Sequence, residues 1–170
     1  EGAAGKGNCP EGMADIGNAC IDLYEYPNER GVMPMTNVTW YEAQAACEKL
    51  GKRLCTEAEW GEACQGPGNF GYPYGSEFNE KACRTCMNEE DGPAPSGKYD
   101  KCVSGHGVYD LSGNVYEWVE DEFPSVEEKR TIKGGAWYFL NYYTNCNNKY
   151  GYAPTYKADF IGFRCCKDKE

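Results

Sequence analysis

The chain is short of histidine and of positive charge. It has one histidine, His106, and 17 lysines and arginines against 27 aspartates and glutamates, for a formal net charge of −10. A surface of that sign offers no basic patch, which argues against nucleic acid and against an anionic membrane surface as partners. One histidine leaves little from which to build a Ser-His-Asp triad, and no nucleophile-elbow motif accompanies it. His106 stands between Gly105 and Gly107 and reads as a loop histidine rather than a ligand. No apolar run approaches the ~20 residues of a membrane span. The start, Glu1-Gly-Ala-Ala-Gly-Lys-Gly, lacks a signal-peptide pattern and is small and polar. It reads as a flexible linker left when a targeting segment is removed.

What the chain does have is cysteine, 11 of them in 170 residues. A chain of this length buries a core without staples. The cysteines therefore point to an oxidising compartment, that is, a secreted, extracellular or cell-surface protein, the periplasm included. The odd count leaves at least one thiol unpaired or used between chains. Residues 1–8 are expected to be linker and residues 9–170 a single domain.

Pro10, Gly12 and Gly17 punctuate a first unit, Cys9 to Tyr26, which predicts a hairpin with Cys9 and Cys20 on facing strands and bonded to each other. Thr39 and Glu42 predict a capping box opening a helix with Trp40, Ala43, Cys47 and Leu50 on one face and Gly51 as its stop. Thr56 and Glu59 repeat that grammar over a shorter helix ended by Gly66-Pro67. From Gly66 to about Gly107 the chain is irregular, and a loop that long needs disulfides or an ion. Strands are expected around Tyr116–Val119, Thr131–Lys133 and Phe160–Cys166. The outline is an α+β domain with two helices, short antiparallel strands and much loop.

Several motifs in one order identify a family. Val38-Thr39-Trp40-Tyr41-Glu42-Ala43 is followed by Gly51-Lys52-Arg53-Leu54-Cys55-Thr56-Glu57-Ala58-Glu59-Trp60, then Tyr72-Pro73-Tyr74-Gly75. The central run is Gly107-Val108-Tyr109-Asp110-Leu111-Ser112-Gly113-Asn114-Val115-Tyr116-Glu117-Trp118, and Lys133-Gly134-Gly135-Ala136-Trp137 and Ile161-Gly162-Phe163-Arg164 close the set. Over roughly residues 9 to 166 the chain resembles the formylglycine-generating-enzyme, or sulfatase-modifying-factor, family. That resemblance implies a C-type-lectin-like core with large loop insertions.

Asp110-x-x-Gly113-x-Val115-x-Glu117 suits Ca2+ on its own chemistry, because a hard ion takes six to eight oxygens from carboxylates and carbonyls. The resemblance implies ligation by the Asp110 and Glu117 side chains and the Gly113 and Val115 carbonyls. The family's second Ca2+ site falls in the loop from about Cys83 to Cys102. That loop is short here, with Asn88, Asp91 and Asp100 as remaining donors, and the second site is not expected to persist.

The family's enzymes oxidise a sulfatase cysteine with O2 on a copper ion held by two thiolates, and soft copper requires sulfur. By position those thiols fall on Phe139 and Thr144, and the motif serine falls on Ala136. An iron-dependent branch needs several histidines, which fails on count. Cys83-x-x-Cys86 reads as structural disulfide cysteine rather than a zinc or redox pair. The resemblance pairs Cys47 with Cys165. Side-chain alternation puts Cys166 on the other face of the strand, with Cys55 as its partner. Cys64, Cys83, Cys86, Cys102 and Cys146 stay unsorted.

From Trp137 to Phe160 tyrosine and asparagine dominate. Tyr gives contact area at low entropy cost and Asn adaptable hydrogen bonds, as in antibody binding loops. The segment also resembles the variable region of retroelement-diversified proteins of this fold. Trp137, Tyr138, Phe139, Asn141, Tyr142, Tyr143, Asn145, Asn147, Asn148, Tyr150 and Tyr156 form the expected binding face for a protein or glycan. The reading is a secreted, Ca2+-binding, non-catalytic module. The alternatives are a copper oxidase using Cys146 and another thiol, a retroelement-diversified binder, or a self-associating subunit of an extracellular polymer.

Overall fold

A computed structural model describes residues 8–88 and 90–170, the side chain of Asn141 excepted. The expected linker, apart from Asn8, lies outside the described residues. In chain order the elements are β1 (Met13–Asp15), β2 (Ala19–Asp22), α1 (Trp40–Lys49), β3 (Arg53–Leu54), α2 (Glu57–Gln65), β4 (Tyr116–Glu122), β5 (Arg130–Lys133), α3 (Asn141–Thr144), β6 (Lys149–Tyr152), β7 (Ile161–Phe163) and β8 (Cys165–Asp168). The fold is α+β, with two four-stranded sheets ordered β1-β2-β8-β3 and β6-β5-β4-β7.

Both long helices start where their caps predict. Thr39 accepts from the Glu42 amide, but no return bond from the Glu42 side chain completes a box. Around α2 both halves of the box form between Thr56 and Glu59. Trp40, Ala43 and Cys47 are buried, whereas Leu50 is the exposed cap residue rather than part of the helix face. Gly51 takes φ +69°, the left-handed conformation that ends α1.

The strands depart from expectation in three ways. Asp15, not Cys9, faces Cys20 in the hairpin, and Cys9 reaches Cys20 from the segment before β1. The single strand expected over Phe160–Cys166 breaks at Arg164 into β7 and β8, one in each sheet. One pairing, β4 with β7, is parallel. A third, four-residue helix, α3, and the edge strand β6 lie in the Tyr/Asn segment, where no element was predicted.

Cys47 and Cys165, and Cys55 and Cys166, are bonded, so consecutive cysteines of β8 tie α1 and the start of α2 to one strand. The unsorted cysteines resolve as Cys64–Cys146 and Cys83–Cys102. Cys86 is a free, exposed thiol, which corrects the reading of it as a structural disulfide cysteine.

β4 separates two hydrophobic clusters. Val115, Tyr116 and Trp118 enter one with Trp40, Ile132, Ile161 and Phe163. Val119 enters the other with Trp60, Ile21, Val108 and Leu111. Buried indoles need partners for their N–H groups. Trp118 Nε1 donates to the Val38 carbonyl at 3.0 Å and Trp40 Nε1 to the Val119 carbonyl at 2.9 Å.

The long irregular loop has its reason in a disulfide and a cation. Cys83–Cys102 closes it, and the fully buried Arg84 organises it. The Arg84 guanidinium donates to the carbonyls of Thr85, Glu90, Gly92 and Trp137 and to Asn88 Oδ1. The cation at the centre of this loop is thus a side chain, surrounded by neutral oxygens. Replacing Arg84 by Met removes the guanidinium donor from the carbonyls of Thr85, Glu90, Gly92 and Trp137. Thermal or urea unfolding should show a loss of about 3 kcal/mol or more, with faster amide exchange over residues 85–92. Wild-type stability and exchange would contradict this account of the loop.

Candidate functional site

Between the sheets lies a buried cluster of charge. Arg164, placed between β7 and β8 by the strand break, clamps Glu117 of β4. Its Nη2 donates to Oε1 at 2.7 Å and its Nε to Oε2 at 2.9 Å. Trp60 Nε1 donates to the same Oε2 at 2.6 Å. The rest of the guanidinium donates to the carbonyls of Asp22, Leu23 and Tyr109. Glu117 Oε1 and Oε2 are therefore both committed to protein donors.

Two more carboxyls sit close by. Glu25, Asp110 and Glu117 are 0%, 3% and 1% exposed. Glu25 accepts from Asn114 Nδ2 at 2.8 Å and from Ser96 Oγ at 2.7 Å. Asp110 Oδ2 accepts from the Gly97 amide at 2.8 Å, and its carboxyl lies within hydrogen-bond reach of Glu25. Burial pushes Asp110 up to about 6, and burial together with Asp110 raises Glu25 well above the usual carboxylate range. Arg164 is held above its ordinary value against the effect of burial, with Glu117 the leading cause. Three carboxyls thus share one guanidinium in a water-poor site, an imbalance a divalent cation would neutralise.

The turn carrying this motif is built for close approach. Asp110, Gly113 and Asn114 all take positive φ, and a Cβ on Gly113 would meet the Arg84 carbonyl oxygen at 2.1 Å. Among the described residues, the group of metal-capable side chains whose ligand atoms lie within 4.8 Å of one another is Cys55, Glu59 and Cys166. The two sulfurs of that group form a disulfide, so it offers no thiolate.

The Tyr/Asn segment divides between surface and core. Tyr142 is 71% and Tyr150 53% exposed, and Tyr138, Tyr143, Tyr156 and Asn147 are also exposed. Trp137, expected on the binding face, is instead 9% exposed and belongs to the core with Ala136. Phe139 is half-buried and packs on Tyr116, Tyr138 and Tyr143. Asn145 and Asn148 are half-buried, and the Asn141 side chain lies outside the described residues. Tyr150, Tyr152 and Tyr156 continue the aromatic surface, with Tyr152 and Tyr156 stacked at 4.3 Å. Tyr142, Asn145, Asn147 and Asn148 join Tyr72 in lining an open cleft of about 460 Å3.

The positions where the resemblance puts a copper site hold no thiol. Phe139 packs as above, Thr144 is buried with its carbonyl accepting from Ser112 Oγ, and Ala136 is buried. Cys146 is bonded to Cys64. Beyond the thiol positions lies Lys133, buried over the Trp60 ring and donating to the Cys146 carbonyl, its pKa lowered by burial to about 8.

Sequence reading missed Glu25, Arg84, Arg164 and Tyr72 as site residues. For Glu25 and Arg164 a signal existed. Each is a charge inside an apolar or aromatic run, Leu-Tyr-Glu-Tyr and Ile-Gly-Phe-Arg-Cys-Cys, and charges there are buried only when partnered. Arg84 lies in a loop without periodicity and gave none.

The sulfatase-modifying factor enzyme 1-like domain matches residues 19–169. The serine/threonine-protein kinase pkn1 of Chlamydia caviae is 32% identical over 152 residues, 79% of this chain and 24% of that protein. Inactive C-alpha-formylglycine-generating enzyme 2 of Bos taurus is 32% identical over 160 residues, 81% of this chain and 51% of that protein. Formylglycine-generating enzyme of Mus musculus is 31% identical over 166 residues, 79% of this chain and 44% of that protein. The chain thus spans about half or less of the length of these relatives. Among solved structures, Treponema denticola variable protein 1 superposes with a TM-score of 0.71 at 20% identity, over 98% of this chain and 78% of that one. With motifs, fold and sequence similarity in agreement over nearly its whole length, the chain belongs to the sulfatase-modifying factor enzyme 1-like family.

Proposed function

We propose that this chain is a non-catalytic binding domain, braced by Ca2+ and by disulfides, that works in an oxidising compartment outside the cytosol. One observation carries the reading. Phe139 and Thr144 stand at the positions of the family's copper thiolates, and Cys146, the nearest alternative, is tied to Cys64. With ten cysteines paired and Cys86 free, a two-thiolate copper site has a single thiol to draw on. The family includes relatives named as enzymes and relatives named inactive, so membership alone does not decide the matter. Five disulfides support the oxidising compartment. The surface left for function is the Tyr/Asn face, whose exposed aromatics lie outside the packed core.

The cation belongs beside Asp110. Its carboxylate and the carbonyls of Gly113 and Val115 are the proposed ligands, with Glu25 adjacent. Glu117 contributes charge while its side chain serves Arg164 and Trp60. Ca2+ there supplies charge neutralisation and fixes the turn, with no part in bond making.

Two outcomes follow. Under O2 with copper(I), a Cys-containing peptide should remain unoxidised by the chain; turnover of the peptide would contradict the reading. Excess Ca2+ should raise stability relative to chelator, by about 2–3 kcal/mol at a hundredfold excess over Kd. Asp110→Ala should abolish that difference and Asp110→Asn, which keeps an oxygen donor, should retain most of it. Identical melting with Ca2+ and with chelator in the native chain would remove the ion from the account.

A further inference from the structure

The cleft beside α3 has a chemistry of its own. Tyr72, Tyr142, Asn145, Asn147 and Asn148 line it, and none of them carries a formal charge, in a chain whose net charge is −10. Its volume, about 460 Å3, falls in the range of ~300–1,000 Å3 found for small-ligand sites. None of the five residues lies in a named strand, so the cleft offers no ladder to an extended peptide.

The walls are fixed in advance. Cys64–Cys146 ties the asparagine segment to the end of α2, and the Cys146 amide donates to the Gly71 carbonyl at 2.8 Å. Gln65 Nε2 donates to Asn147 Oδ1 at 2.8 Å, the Asn147 amide to Asn145 Oδ1 at 2.9 Å, and Asn148 Nδ2 to the Tyr143 carbonyl at 3.2 Å. Each bond uses one end of a side-chain amide. Among the described residues, the other ends, Asn145 Nδ2, Asn147 Nδ2 and Asn148 Oδ1, have no protein partner. Two donors and one acceptor thus stay unused on cleft-lining side chains already held by hydrogen bonds, which lowers the ordering cost of binding. The aromatic rings are braced as well: Tyr72 stacks on Tyr74 at 5.5 Å, and the Tyr142 ring meets Tyr143 edge-on at 5.5 Å.

Fixed neutral donors and acceptors beside tyrosine faces suit one ligand class. A pyranose presents hydroxyls that both donate and accept, and a C–H face whose partial positive charge meets the negative face of an aromatic ring. A phosphate, a carboxylate or a basic side chain would find no counter-charge among the described lining residues. We propose that this cleft binds a neutral pyranose, free or at the end of a glycan. The proposal rests on the binding-face reading above and narrows it to one ligand chemistry.

The test uses the full chain with methyl glycosides of glucose, galactose, mannose and N-acetylglucosamine, read by saturation-transfer NMR and titration. At least one should bind, and Tyr142→Ala should weaken it about tenfold or more. Tyr142→Phe, which keeps the ring, should stay within about threefold of wild type, and Tyr41→Ala, at an exposed tyrosine of α1 outside the Tyr/Asn face, should bind as wild type. A second arm presents a high-mannose glycoprotein before and after enzymatic removal of its glycans. Loss of binding on deglycosylation supports the proposal and shows that the cleft reads the sugar in its attached form. Binding of none of the four sugars, or binding untouched by Tyr142→Ala, would overturn it. Glycoprotein binding that survives deglycosylation but falls with Tyr142→Ala would overturn the sugar while sustaining the binding face. Loss of both arms would count against the face itself.

Discussion

The bond between Arg164 and Glu117 holds five stretches of chain at one point. Glu117 belongs to the central strand β4 and Arg164 to the break between β7 and β8, while Trp60 reaches in from α2 and the carbonyls of Asp22, Leu23 and Tyr109 close the far side. A buried guanidinium is tolerated only where its donors are satisfied, so each of those stretches must arrive in register. The strand break follows from the same demand. A continuous strand over residues 160–166 would keep its neighbours in one sheet. Leaving the ladder at Arg164 lets β7 join one sheet and β8 the other, so that the side chain stands between them.

That junction lies between the disulfide-braced part of the molecule and the aromatic surface of α3 and β6. On the braced side, consecutive cysteines in β8 staple α1 and the segment leading into α2, and Arg84 fills its loop with a charge bonded to the loop's own carbonyls. On the other side, α3 and β6 carry tyrosines whose rings lean on one another more than on the core. The disulfide from Cys64 to Cys146 crosses between the two, anchoring the asparagine turn to α2. Buried Cys146 is thereby a structural residue at the root of the asparagine turn.

Much of this was legible in the residues, unevenly. Thr39 and Thr56 announce their helices because capping is local, settled by a side chain and an amide three residues on. The ordered motifs announced the fold. The parallel pairing of β4 with β7 was not legible, since it joins residues 45 positions apart, Tyr116 with Ile161, and leaves no local pattern. Composition does not say which member of an aromatic run turns inward, so the sequence alone puts Trp137 on the surface with its tyrosine neighbours. Its position directly after two glycines and a fully buried alanine settles that only once the backbone is known. The pairing of Cys64 with Cys146 depends on the same tertiary path. Glu117 shows the limit of a motif: its residue type suits a cation, yet in the fold its oxygens are held by Arg164 and Trp60.

Glu117 and Arg164 are coupled strongly enough to organise the fold. A double-mutant cycle on unfolding free energy, with Glu117→Gln, Arg164→Met and the pair together, measures that coupling directly. Each single change should cost about 3–5 kcal/mol, and the double should fall short of their sum by about 2 kcal/mol or more. Single losses under ~1 kcal/mol that add without coupling would contradict it.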